Sequence, residues 1–164
     1  MKKRSNTHRN GLTRENPRAA VAAAARQLEK AISASDHSVS ILLDPVVALG
    51  EHRLPHRIPV ADHVRRVVSD PVVSVRAIGT RCSWADDFRS VLGAVYPPGG
   101  LTEDEDAVDS HVQALANAIE SFIGAVRVAA QVDTRPESYY ANKWTEIVLV
   151  SSTHIARLAL TATD

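Results

Sequence analysis

Hydrophobic and polar positions are most regular in the last third of this chain. From Thr102 onward, Val108, Val112, Leu115, Ile119, Phe122, Val126 and Ala129 recur at intervals of four and three. That spacing places one apolar stripe on one helical face. A second set, Tyr140, Trp144, Ile147 or Val148, Ser151, Ile155 and Leu158, repeats it up to Thr163. The segment 133–137 (DTRPE) separates the two. The pattern predicts a long C-terminal helical hairpin whose stripes must be buried. Thr102 and Glu105 read as a capping box at its start, and the acids of Glu103–Asp106 lie where a helix dipole favours them.

The rest of the chain reads as shorter pieces. Asn16-Pro17 predicts a helix start, with Asn as cap and Pro in the first position. That helix runs to about Ala34, with Val21, Ala25, Leu28 and Ile32 on one side. Ser38–Leu43 suits a short strand or a helical turn. Asp44-Pro45 opens a possible short helix through Leu49, closed by Gly50. Pro59 starts a short helix with Val60, Val64, Val67 and Val68 on one side. Val72–Ile78 is β-branched enough to leave helix and strand nearly tied. Ser83 with Asp86 caps a clearer helix whose apolar side holds Trp84, Phe88, Val91, Leu92 and Val95. Tyr96-Pro97-Pro98-Gly99-Gly100 stops it.

These elements predict an all-α fold: an irregular helical bundle with a long C-terminal helical hairpin and possible short strands in residues 38–80. The expected organisation is a basic N-terminal arm over 1–15, with no apolar period, followed by a single helical domain over 16–164.

The length of 164 residues suits one domain with a real core. Aromatics are only 4% of the chain, which argues against a base-stacking platform. Cys82 is the one cysteine, so neither an internal disulfide nor a Cys-rich zinc site is expected. No apolar run is long enough to span a membrane. Ala19–Ala25 is bracketed by Arg18 and Arg26 and lacks Leu, Ile and Phe, so it does not read as a signal peptide. The expected location is cytoplasmic, or within a virion for a phage component.

Formal net charge is zero, yet the charges segregate. Residues 1–30 carry Lys2, Lys3, Arg4, Arg9, Arg14, Arg18, Arg26 and Lys30 against Glu15 and Glu29, while residues 101–164 carry ten acidic groups against four basic ones. Lys2, Lys3, Arg4, Arg9 and Arg14 are therefore the candidate partner- or nucleic-acid-binding residues. They would neutralise phosphates without reading sequence, or dock on an acidic neighbour.

Candidate chemistry is sparse. His52, His56 and His63 lie near Glu51 and Asp62, but Pro55 breaks any helix that would pair the histidines on a metal. Tyr139 and Lys143 have the Tyr-x3-Lys spacing of short-chain dehydrogenases, with no Gly-rich strand–turn–helix before them. The acids Glu103–Asp106, Asp109 and His111 read as a solvated helix start. No metal and no cofactor is expected. Arg57 and His63, six positions apart, resemble the Arg–His motif of the all-helical HEPN ribonucleases. That resemblance implies His63 as acid–base group and Arg57 as stabiliser of a charged transition state on RNA. Pro59 lies inside the motif, and Ile58 stands where the family has a polar residue.

The stretch EDAVDSHVQALANAIESFIGAVR resembles the helix of ring-forming viral and phage connectors. With no catalytic constellation in view, the expected function is that of a non-catalytic helical subunit. It would act by association in a homo-oligomer or larger assembly, with the basic arm on a neighbour or on nucleic acid. The alternatives are a HEPN-like ribonuclease and a nucleic-acid-binding regulator.

Overall fold

A computed structural model describes residues 16–50, 57–79, 83–97, 100–101, 104–135, 141 and 143–163. It corrects the all-α expectation. Five antiparallel strands form one sheet in the order β1-β5-β4-β3-β2. In chain order the elements are α1 (Pro17–Ile32), β1 (Ser38–Ala48), α2 (Val60–Val64), β2 (Val72–Ile78), α3 (Trp84–Leu92), α4 (Glu105–Ile123), β3 (Val128–Thr134), β4 (Lys143–Val150) and β5 (His154–Thr163).

The helices start and stop for the local reasons that the sequence offers. The Asn16 side chain accepts from the Arg18 N–H, with Pro17 in the first turn. Ser83 and Asp86 form a reciprocal capping box on α3. Asp104 caps α4, accepting from the Asp106 N–H; Thr102 and Glu103 lie outside the described residues. The α4 helix ends at Ile123, short of the predicted stripe. Gly124 takes φ 90°, a conformation that favours glycine and turns the chain out of the helix. Its last carbonyl is held by the distant β4–β5 turn: the hydroxyls of Ser151 (2.5 Å) and Thr153 (2.9 Å) both donate to the Ile123 oxygen.

The second arm of the predicted helical hairpin is instead a β-hairpin, β4–β5, paired from Lys143↔Ala162 to Val150↔Ile155. The physical reason lies in the run Thr145–Val150, six consecutive buried residues. An amphipathic helix would put polar residues among them, whereas a central strand is buried on both faces. In β5 the alternation is plain. Ala156, Leu158, Leu160 and Ala162 join the main core, and Arg157 and Thr161 point the other way. The spacing Ile155 to Leu158, which suits a helix, is a coincidence of two residues on opposite faces. Trp144 is in β4, not the start of a helix; Tyr139 and Tyr140 lie outside the described residues. The segment 38–80 does contain strands. The β1 strand runs on through Asp44-Pro45 to Ala48, with a register shift between Leu43 and Val46, where a short helix was expected.

One face of the sheet is covered by α1, α3 and α4. Leu28, Ile32, Phe88, Leu92, Leu115 and Ile119 pack there against Ile147, Leu149, Leu158 and Leu160. The α4 stripe is thus consumed inside the chain. The second face has a smaller cover. Val64, Val67 and Val68, from α2 and the turn after it, lie over Val132, Val148, Val150 and Ile155. The connection from α2 to β2 then crosses this face at Asp70.

The two outer strands are treated differently. On β1 two N–H groups outside the ladder are taken by helix α1 and the residue that follows it. Ile41 donates to Glu29 Oε1 (2.6 Å) and Val39 to Ser33 Oγ (3.1 Å). On β2 no described strand or side chain hydrogen-bonds the outer backbone edge.

Candidate functional site

Residues that face one another across antiparallel strands share a side of the sheet. Glu146 of β4 lies opposite Ala159 of β5, which lies opposite Leu42 of β1. One row further, Trp144 faces Thr161, which faces Ser40. Ala159 has only a methyl group, so the middle of these rows is hollow. A cavity of about 330 Å³ opens there, beyond the end of the valine layer under α2. Ser40, Leu42, Glu146, Arg157 and Thr161 line it with Ala159, and Asp70 reaches in from the crossing segment.

Glu146 is the chemical centre. Its side chain is only 3% exposed. Oε1 accepts from Arg157 Nη1 at 3.2 Å, while Arg157 Nε donates to the Asp44 carbonyl at 2.9 Å. Arg157 is thereby held by two strands. Glu146 Oε2 is buried and has no hydrogen-bond partner among the described residues. Burial pushes the Glu146 carboxyl above its ordinary value, and Asp70 reinforces this while Arg157 opposes it. Among the described residues the lining includes no histidine and no cysteine. Two carboxylates, one guanidinium and two hydroxyls thus meet in one hollow.

The second candidate is a surface. The described large hydrophobics that stand exposed are Val72 (41%), Val73 (63%), Val75 (37%) and Leu42 (55%). All four lie on the outer strands β2 and β1, three of them on the edge that nothing in the described chain covers.

The residues singled out in the sequence lie elsewhere. Lys2, Lys3, Arg4, Arg9 and Arg14 fall outside the described residues, as do Glu51, His52, His56, Cys82 and Tyr139. Arg57 is exposed, whereas His63 is fully buried in α2. Neither lines the cavity above, the roughly 500 Å³ groove between α1 and β1, or the roughly 240 Å³ hollow beside Gly79. A buried histidine offers RNA no access, and the sheet departs from the all-helical fold that the HEPN resemblance implies. Lys143 Nζ donates to the Tyr96 carbonyl at 3.5 Å. Asp109 is paired with Arg89, which also donates to the Tyr96 hydroxyl, so this acid clamps α4 to α3. Among the described residues no group of three or more His, Cys, Asp or Glu side chains is placed to hold a metal ion, and no helix is long and apolar enough to cross a membrane.

Glu146 and Arg157 belong to no motif in the sequence. Their signal was a lone acid in the apolar run TEIVLV and a lone base in IARLAL. Those two residues are eleven positions apart, which on a helix means about 16 Å and on a hairpin means diagonal neighbours. No family model, no curated protein and no solved structure matches this chain.

Proposed function

We propose that this chain is a non-catalytic subunit that works by association with further copies of itself, alone or within a larger assembly. The β2 edge carries the reading. It combines a strand backbone that no other described strand pairs on its outer side with Val72, Val73 and Val75, each more than a third exposed. A strand edge of this kind is a template for another strand, and natural sheets normally blunt it. Here β1 is blunted by Glu29 and Ser33, and among the described residues nothing does the same for β2. Pairing of β2 with β2 of a second copy, about a two-fold axis, would extend the sheet to ten strands and cover both sets of valines.

The α4 stripe does not contribute to this association, because it is spent on the chain's own core. The assembly class remains that of viral and phage structural components, connectors included. In it the basic arm (Lys2, Lys3, Arg4, Arg9, Arg14) would contact a neighbouring subunit or nucleic acid. Light scattering with size exclusion at several protein concentrations tests the core of the reading. A dimer or higher oligomer is expected. A species of one-chain mass at high concentration and low salt refutes it.

A further inference from the structure

The cavity on the second face holds more charge than packing needs. A buried carboxylate oxygen without a donor is destabilising, and Glu146 Oε2 is in that state among the described residues. Arg157 neutralises one negative charge, and Asp70 adds another beside it. The formal charge of the set is therefore −1 when both acids are ionised. Leu42 and Ala159 supply apolar walls, and the hydroxyls of Ser40 and Thr161 are acceptors within the same hollow.

We propose that this cavity is a binding site for a monovalent organic cation: a guanidinium or primary ammonium group on a short apolar stem. Such a group gives Glu146 Oε2 its missing donor, balances Asp70, and lays its stem on Leu42 and Ala159. The volume of about 330 Å³ suits an occupant the size of one long side chain. An anion would meet two carboxylates. A divalent metal would meet the Arg157 guanidinium and too few ligands. The cation has two conceivable sources with the same chemistry, a free amine or guanidine and an Arg or Lys side chain of the basic arm. The site stands independently of association through β2, which uses the far edge of the sheet.

The test uses the full-length protein, isotopically labelled and with Lys2, Lys3, Arg4, Arg9 and Arg14 changed to Gln so that its own arm cannot fill the site, and two probes: N-acetyl-arginine amide and a peptide of the parent residues 1–15. Saturable NMR shifts are expected at the Arg157 Nε–H and at the backbone of Glu146, Ala159 and Thr161. Asp70→Asn and Glu146→Gln should each weaken binding about tenfold or more, the range for a charge-assisted hydrogen bond. Tighter, salt-sensitive binding of the peptide assigns the site to the arm, and equal or better binding of the amide assigns it to a free ligand; both support the cavity. Absence of saturable shifts with both probes overturns the proposal, and so does unchanged affinity in the variants. Should Glu146→Gln fail to fold, Asp70→Asn decides alone, since Asp70 is half-buried on a connecting segment.

Discussion

Placing a charge at Val73 tests the β2 edge most directly. Val73 is 63% exposed, and its neighbours Val72 and Val75 are 41% and 37% exposed. Fully burying one valine contributes about 1.5–3 kcal/mol. The exposed part of Val73 is therefore worth about 1–2 kcal/mol per copy, or about 2–4 kcal/mol for two copies meeting about a two-fold axis. By the tenfold-per-1.4 kcal/mol rule, Val73→Glu should weaken self-association about thirtyfold at the least. Two like carboxylates brought together at the axis add to that loss. The fold itself should be indifferent, because Val73 belongs to neither core cluster and surface changes of this type stay within about 0.5 kcal/mol. Sedimentation equilibrium gives the dissociation constant, and urea unfolding of the dilute protein gives the stability. If Val73→Glu associates as tightly as the parent, the edge is not the interface. If it unfolds far more easily, Val73 is covered within the chain and the premise is wrong.

Four further outcomes can be measured by urea or thermal unfolding. Gly124→Ala should destabilise by about 1–3 kcal/mol, through φ 90° rather than crowding, since a Cβ there meets Thr153 Oγ1 at an ordinary 3.6 Å. Ser151→Ala should cost about 1–3 kcal/mol, because the hydroxyl that holds the Ile123 carbonyl also accepts from the N–H groups of Thr153 and His154. Glu146→Gln should change the pH dependence. The native carboxyl is raised above 4.5, so the native state holds its proton more tightly than the unfolded chain. The parent's stability should therefore fall relative to the Gln variant as pH rises from 4.5 through the native value, and a flat difference would deny the shift. Replacing the pair together, Glu146→Leu with Arg157→Leu, should be neutral or stabilising by about 1–4 kcal/mol, with cation binding lost.

The parts of the fold that were legible in the sequence are those where the local signal is sufficient. Asn16-Pro17, Ser83 with Asp86, and the stripe from Val108 to Ile119 each specify a helix through neighbours within four residues. The β4–β5 hairpin was not legible as such. Val, Ile, Leu and Ala repeat there densely enough to satisfy a period of 3.6 as well as a period of 2, and only burial on both faces separates the two. Gly124 was the missed punctuation. It stands in the midst of IESFIGAVRVAAQV, where the apolar pattern runs on unbroken while the backbone turns. The site residues were illegible for the same reason, since Glu146 and Arg157 are related by strand pairing and not by sequence distance.

The two halves of the second face make the cavity's chemistry informative. Under α2, the rows are filled with Val132, Val148, Val150 and Ile155, and Val64, Val67 and Val68 close over them. Arg157 lies opposite Val148 in the adjoining strand, and Glu146 lies opposite Val132, so both charged residues occupy positions in line with that apolar layer. A leucine or valine at either place would extend the layer without an ion pair, and ion pairs so buried add little to stability. The fold of this sheet therefore does not require the charges. What they add is a fixed carboxylate, anchored on one oxygen by Arg157 and, among the described residues, buried without a hydrogen-bond partner on the other.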